Sequence, residues 1–223
     1  MDGVQSTIEF LDKNNIKFNG VNRIESDFYK VEILERKNVK IGIFAHTFGL
    51  NAHSIPKDRP QIINKTNLND SNIDFTQIKQ QIAYCKTQNV DFVILHLHWG
   101  LEHEFYPTPE QIDNAHILAE MGVDAIFCHH PHVIQPFEVY QSQIDPSRFI
   151  PIFYSLGNLI NSFKADFLCK SMIGNISIVK GEMIDGTVKT FLKQVNGVEV
   201  FQKLIKQIIL FILTLYQNNQ FIF

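Results

Sequence analysis

The sequence predicts an α/β fold: a mostly parallel sheet, covered on both faces, with antiparallel strands at its edges. Three observations point there. Short apolar runs at residues 39–45, 90–97, 123–127 and 150–154 read as buried strands. Two amphipathic segments with a helical period stand between the first three of them. Strand, helix and strand units of this length close by right-handed crossovers, which sets successive strands parallel.

Taken from the start, residues 7–15 carry Ile8 and Leu11 on an otherwise polar segment that Asn14 and Asn15 stop, so a short helix is expected. Residues 28–34 alternate and turn through Lys37 and Asn38 into 39–45, which predicts a hairpin. Residues 51–72 are polar, hold Pro56 and Pro60 and show no period, so they are expected to cross the surface as a long loop. Asp74 is the expected N-cap of a helix with Phe75, Ile78, Ile82 and Cys85 on one stripe, ended by Asn89. Thr108, Pro109 and Gln111 combine a capping-box spacing with proline at the first helical position. The helix they open places Ile112, Ala115 and Ala119 inward and stops at Met121 and Gly122. A loop is expected from residue 128 to Phe149. After Gly157 and Asn158, residues 173–179 and 187–195 predict antiparallel strands added to the sheet edge. Residues 1–195 thus form one domain. The stretch 196–223, apolar nearly all round over 204–216, is an atypical tail.

Composition excludes several classes. The 223 residues suffice for one domain with a sizeable core, 45% are hydrophobic, and the formal charge is −3. Nucleic acid is therefore not an expected partner. Cys85, Cys128 and Cys169 are too widely spaced for a disulfide framework or a thiolate zinc motif. The start shows no secretory leader pattern, and the apolar run 208–216 falls short of the ~20 residues that span a bilayer. No P-loop or dinucleotide fingerprint occurs.

Chemistry concentrates in imidazole. Of the nine histidines, His96, His98, His129, His130 and His132 lie where two neighbouring strands are expected to stop. In open α/β sheets that edge is where ligands bind. His96 and His98 are two apart and share a strand face. Proline after His130 is expected to keep His130–His132 extended so that both rings converge. Neutral imidazole suits first-row metals, so His98, His130 and His132 are the candidate ligands. His96 and His129 are candidates to orient them. Glu102, just beyond the Trp99–Gly100 turn, is a candidate to coordinate a metal, take a proton or orient a histidine. His46, His53, His103 and His116 stand singly and are expected to be structural. Cys128, at the end of an apolar strand, is expected to pack.

Three motifs in order carry a resemblance: His98-Trp99-Gly100-Leu101-Glu102, then Gly122-Val123-Asp124 leading to His129-His130-Pro131-His132-Val133, then Tyr154-Ser155-Leu156-Gly157-Asn158. Through them the chain resembles the bacterial capsule-synthesis CapA family of poly-gamma-glutamate biosynthesis, which is related to calcineurin-like metallophosphoesterases. The resemblance implies a partial metallophosphoesterase-like α/β sandwich. It implies two divalent ions of the Mn, Fe or Zn class in a complete domain, with His98, His130 and His132 among the ligands. Glu102 and His129 are then the candidate catalytic groups, and His96, Trp99 and Asn158 the candidate substrate contacts. The other half of such a metal site comes from an aspartate motif and an Asn-His pair that would precede Gly3, so an incomplete domain is expected. The implied partners are an anionic capsule polymer or the machinery that makes or exports it, often at the outer membrane face. The alternative is a non-catalytic accessory domain that binds a polymer or a partner protein.

Overall fold

In the computed structural model, residues 2–51, 53–205 and 208–213 are described. The first helix, α1 (Asp2–Lys13), precedes the expected hairpin, which forms between β1 (Glu32–Arg36) and β2 (Val39–Thr47). Lys37 and Asn38 turn it with φ of 51° and 61°. Two consecutive left-handed residues give a loop whose twist matches that of the flanking strands. The first strand starts later than residue 28, because Glu25–Asp27 form a turn of 3-10 helix before it.

Helix α2 (Thr76–Thr87) buries Phe75, Ile78, Ile82 and Cys85, as its stripe requires. Phe75 occupies the cap position instead of Asp74, whose carboxylate accepts from the Thr76 N–H at 2.9 Å. Helix α3 (Pro109–Glu120) opens with both halves of the capping box: Gln111 N–H donates to Thr108 Oγ1, and Thr108 N–H donates to Gln111 Oε1.

Between and after these helices come β3 (Phe92–His98), β4 (Ala125–His129), β5 (Phe137–Gln141) and β6 (Phe149–Phe153). The sheet order is β1-β2-β3-β4-β6-β5, with β2, β3, β4 and β6 parallel and the two edge strands antiparallel. The fold is thus α/β with a mostly parallel central sheet and antiparallel edges. Strand β5 replaces part of the expected loop. Its five residues are half-exposed, and such an edge strand leaves only a brief alternation in the sequence.

Alternate residues of the strands serve two different layers. Val93, Leu95, Leu97, Ile126, Cys128, Ile150 and Ile152 pack against Ile78 and Ile82 of α2 and Ala115, Leu118 and Ala119 of α3. On the opposite face Phe92, Ala125, Phe127 and Phe153 meet Met172, Ile176, Ile178 and Val195. These belong to a second, antiparallel sheet of β7 (Lys170–Glu182), β8 (Val188–Ile205) and β9 (Ile208–Leu213), ordered β7-β8-β9.

This corrects the expectation that the late strands extend the edge of the first sheet: they stack on its face. The reason is an apolar row along β7 and a gap at Gly174, where a Cβ would lie 2.8 Å from a ring carbon of Phe127. Strand β8 also runs through the expected domain boundary, pairing Val195 with Ile176 and then Asn196 with Asn175. The end of the expected tail, residues 214–223, lies outside the described residues.

The long segment 51–72 likewise does more than cross the surface. Ile62, Asn64, Thr66 and Leu68 are buried at alternate positions. Thr47 N–H donates to the Asn64 carbonyl and Thr66 N–H to the Thr47 carbonyl, so the segment is laid along the end of β2.

Candidate metal centre

The register sets Thr47 beside His98 and His98 beside His129, so β2, β3 and β4 stop together. The Phe48 N–H then donates to the His98 carbonyl and the Trp99 N–H to the His129 carbonyl, both at 3.0 Å. The chain after β4 departs sharply from the sheet. His130 has φ of 108° and His132 φ of 63°. Proline does keep His130 out of the helical region, but the expected extended pair is not formed. Left-handed backbone at histidine is strained and persists only where surrounding bonds impose it. One such bond is the His103 N–H to the Pro131 carbonyl at 2.8 Å, and His103 itself has φ of 67°.

That turn brings the side chains together. Glu102, His130 and His132 each present a ligand atom, all within 4.8 Å of one another. Nε2 of His98 is 3.0 Å from Nδ1 of His130, which links the last residue of β3 to the same group. Phe48 stacks on His98 with centroids 6.1 Å apart and meets the edge of His130 at 4.7 Å. Phe163 lies 6.1 Å from His132 on the other side. Burial holds the basicity of His98 and His130 below that of free imidazole; neighbouring imidazoles add to this and Glu102 opposes it. Neutral rings keep a lone pair for a cation.

His96 and His129 are brought together elsewhere. Their rings lie 7° from parallel, with Nδ1 of His96 and Nε2 of His129 at 3.3 Å, and His96 stacks on Phe127. His129 is buried enough to be pushed down to about 4, with His96 and His98 adding to the shift. Thus His129 is directed at His96 rather than into the Glu102 cluster. Trp99, expected at the substrate, is fully enclosed in the helix-side core and cannot touch one. Its indole N–H faces the Cys128 thiol, which burial raises far above its usual range, so Cys128 is a packing residue and no nucleophile. Asn158, also expected at the substrate, has its amide engaged by protein: Oδ1 lies 2.8 Å from Nδ1 of His132, and Nδ2 donates to the carbonyls of His132 and Leu168.

The singly placed histidines are hydrogen-bonded where the structure encloses them. His46 donates through Nε2 to Gln81 Oε1 at 2.7 Å and accepts at Nδ1 from Thr66 at 2.9 Å, and burial lowers it to about 4. His116 pairs with Glu138 and stacks on Tyr140. Sequence reasoning missed Phe48, Phe163 and Asn69. Asn69 exchanges two hydrogen bonds with Gly100, at 2.8 and 2.9 Å, and so holds the turn that carries Glu102. An asparagine in an aperiodic loop carries no local mark of such a partner.

Fold and site together define an α/β domain with an imidazole and carboxylate cluster at the carboxyl ends of parallel strands. The family model described as bacterial capsule synthesis protein PGA_cap matches residues 1–162, and the chain belongs to that family. It is 43% identical over 75 residues to the capsule biosynthesis protein CapA of Bacillus anthracis, covering 34% of this chain and 16% of that protein. The PGA biosynthesis protein CapA of Bacillus subtilis is 38% identical over 73 residues, covering 33% and 17%. A probable polyglutamine synthesis accessory protein of Mycobacterium tuberculosis is 27% identical over 74 residues, covering 33% and 18%. The matched stretch therefore spans less than a fifth of each of these relatives. Among the described residues, no helix is long and apolar enough to cross a membrane.

Proposed function

We propose that this chain carries a metal-dependent, hydrolase-type centre that serves the making or export of capsule poly-gamma-glutamate. Family membership and the relatives' names support the capsule setting. The observation that carries the chemistry is the approach of Glu102, His130 and His132 to within 4.8 Å, with His98 bonded to His130. Donors bound to one first-row ion at ~2.0–2.2 Å lie ~3–4 Å apart, so the widest separation in the group would have to close by ~1–2 Å, a side-chain adjustment. Nitrogen and carboxylate donors of this kind suit Zn, Mn or Fe. The two-ion form implied by the resemblance asks for donors beyond this group.

A bound cation would supply charge neutralisation and an acidified water. The chain's own residues do the rest. His130 and His132 offer ring nitrogens from a turn with left-handed backbone, and His98 holds the His130 ring from the strand end. Glu102 is exposed on the open side, within reach of a proton released there. Phe48 and Phe163 flank the rings. His129, paired with His96, supports the floor of the site.

A second reading, an accessory domain without turnover, is favoured by the name of the mycobacterial relative and by the bond between His98 and His130, which occupies one nitrogen of each ring without an ion. Calorimetric titration of the metal-stripped chain with Zn²⁺ separates the two. The expected result is saturable binding that weakens at least ~100-fold in the His130→Ala/His132→Ala variant, given the usual cost of lost ligands and their supports. A parent chain that binds no Zn²⁺ would leave the accessory reading standing.

A further inference from the structure

One ring nitrogen of His132 has a partner outside the Glu102 cluster. Nδ1 of His132 lies 2.8 Å from Oδ1 of Asn158. The amide is oriented by its other end: Nδ2 donates to the His132 carbonyl at 3.1 Å and to the Leu168 carbonyl at 3.2 Å. Turning the amide over would set its oxygen against two carbonyl oxygens and lose both bonds. With Oδ1 thus an acceptor, Nδ1 of a neutral His132 must hold the proton.

The segment around Asn158 has little freedom to move away. Gly157 has φ of 71°, and a Cβ there would lie 2.6 Å from the Lys170 carbonyl oxygen, so the turn is pressed against β7. Ser155 Oγ donates to the Val133 carbonyl at 2.6 Å, one residue beyond His132. Further out, Asn161 Nδ2 donates to the same Leu168 carbonyl, while Asn161 N–H donates to Gln202 Oε1 and Gln202 Nε2 returns a bond to the Asn161 carbonyl. Gln202 is buried in β8, beyond the residues that the family model matches. The second sheet therefore anchors the loop that holds Asn158.

We propose that Asn158 is a positioning residue that fixes His132 as its Nδ1–H tautomer and so leaves Nε2 as the cation-binding nitrogen. The inference rests on the metal-site reading for its consequence, though the tautomer itself exists without metal. A partner on the far ring nitrogen is the usual device for fixing the tautomer and direction of a ligating histidine.

Two variants separate orientation from mere stapling of the loop. Asn158→Asp keeps an acceptor for Nδ1 but loses both donated bonds; Asn158→Leu loses acceptor and donors alike. Ring ¹⁵N correlation spectra of the metal-stripped full chain at alkaline pH report the tautomer, and Zn²⁺ competition against a fluorescent chelator reports affinity. The parent and Asn158→Asp are expected to show His132 as Nδ1–H, and Asn158→Leu to lose that signature. Zn²⁺ affinity should fall ~10–100-fold in Asn158→Leu and return to within a few fold of the parent in Asn158→Asp. A parent with the proton on Nε2, or an aspartate variant that matches leucine in the spectra, overturns the proposal. If the spectra agree and the parent binds no Zn²⁺, the metal reading fails while the positioning of His132 stands.

Discussion

Three histidines inside strands and three on the loops at the strand ends are held by different means. His46, His96 and His129 have regular strand backbone, lie under cover, and find a ring or amide partner across the sheet or from a helix. Burial depresses all three. His103, His130 and His132 have positive φ and converge on an open edge. Of the other non-glycine residues with positive φ, none is a histidine; they are asparagines and one lysine, at turns and helix ends. The strand group stabilises the fold by staying neutral; the loop group costs conformational energy to point its rings inward. His98, the last residue of β3, joins the two.

The largest expected effect that sharpens this contrast is acid sensitivity from the strand group. His46 is pushed down to about 4 when folded, against an ordinary value near ~6.5. Between those values the unfolded chain binds more protons, so stability is full above pH ~6.5 and is lost as pH falls towards about 4. The loss attributable to His46 is of order 3 kcal/mol. Urea unfolding across this range should show it, and His46→Gln, which removes the titrating group, should flatten that part of the profile. An unchanged profile would break the assignment of His46 to the strand group.

A smaller effect is expected where the second sheet supports the strand group. Gly174→Ala would drive a methyl group against Phe127, the ring on which His96 stacks, and against Phe153. It should cost ~1–3 kcal/mol in chemical unfolding, as overpacking does, while Zn²⁺ affinity at the loop group holds. The smallest effect has the opposite sign. His132→Gly relieves a left-handed strain of ~1–2 kcal/mol but adds flexibility to the unfolded chain worth ~0.5–1 kcal/mol. Thermal stability should stay level or rise slightly even as metal binding is lost. A clear destabilisation would mean that the His132 ring, and not its backbone, is what the fold depends on.

Much of the architecture was legible in the residues. The Phe75, Ile78, Ile82 and Cys85 stripe, the Thr108 and Gln111 capping box and the Lys37–Asn38 turn each depend on neighbours a few residues away, and each forms as expected. The motifs around His98, His130 and Asn158 carried the family in the same local way. Where the reading failed, the cause was distance in sequence. Gly174 stacks β7 on Phe127 rather than beside an edge, Asn69 holds Gly100 from the far side of α2, and Trp99 disappears into the core.

By itself, then, the sequence determined the order of the parallel strands and the two helices between them, the family, and the gathering of imidazoles at strand ends, because periodicity and capping act over one or two turns. Only the tertiary structure decided the left-handed backbone of His130 and His132, the entry of Glu102 into their cluster, and the contact of Asn158 with the His132 ring nitrogen. Those features arise from bonds between residues tens of positions apart, whose meeting depends on how the sheet and its loops pack.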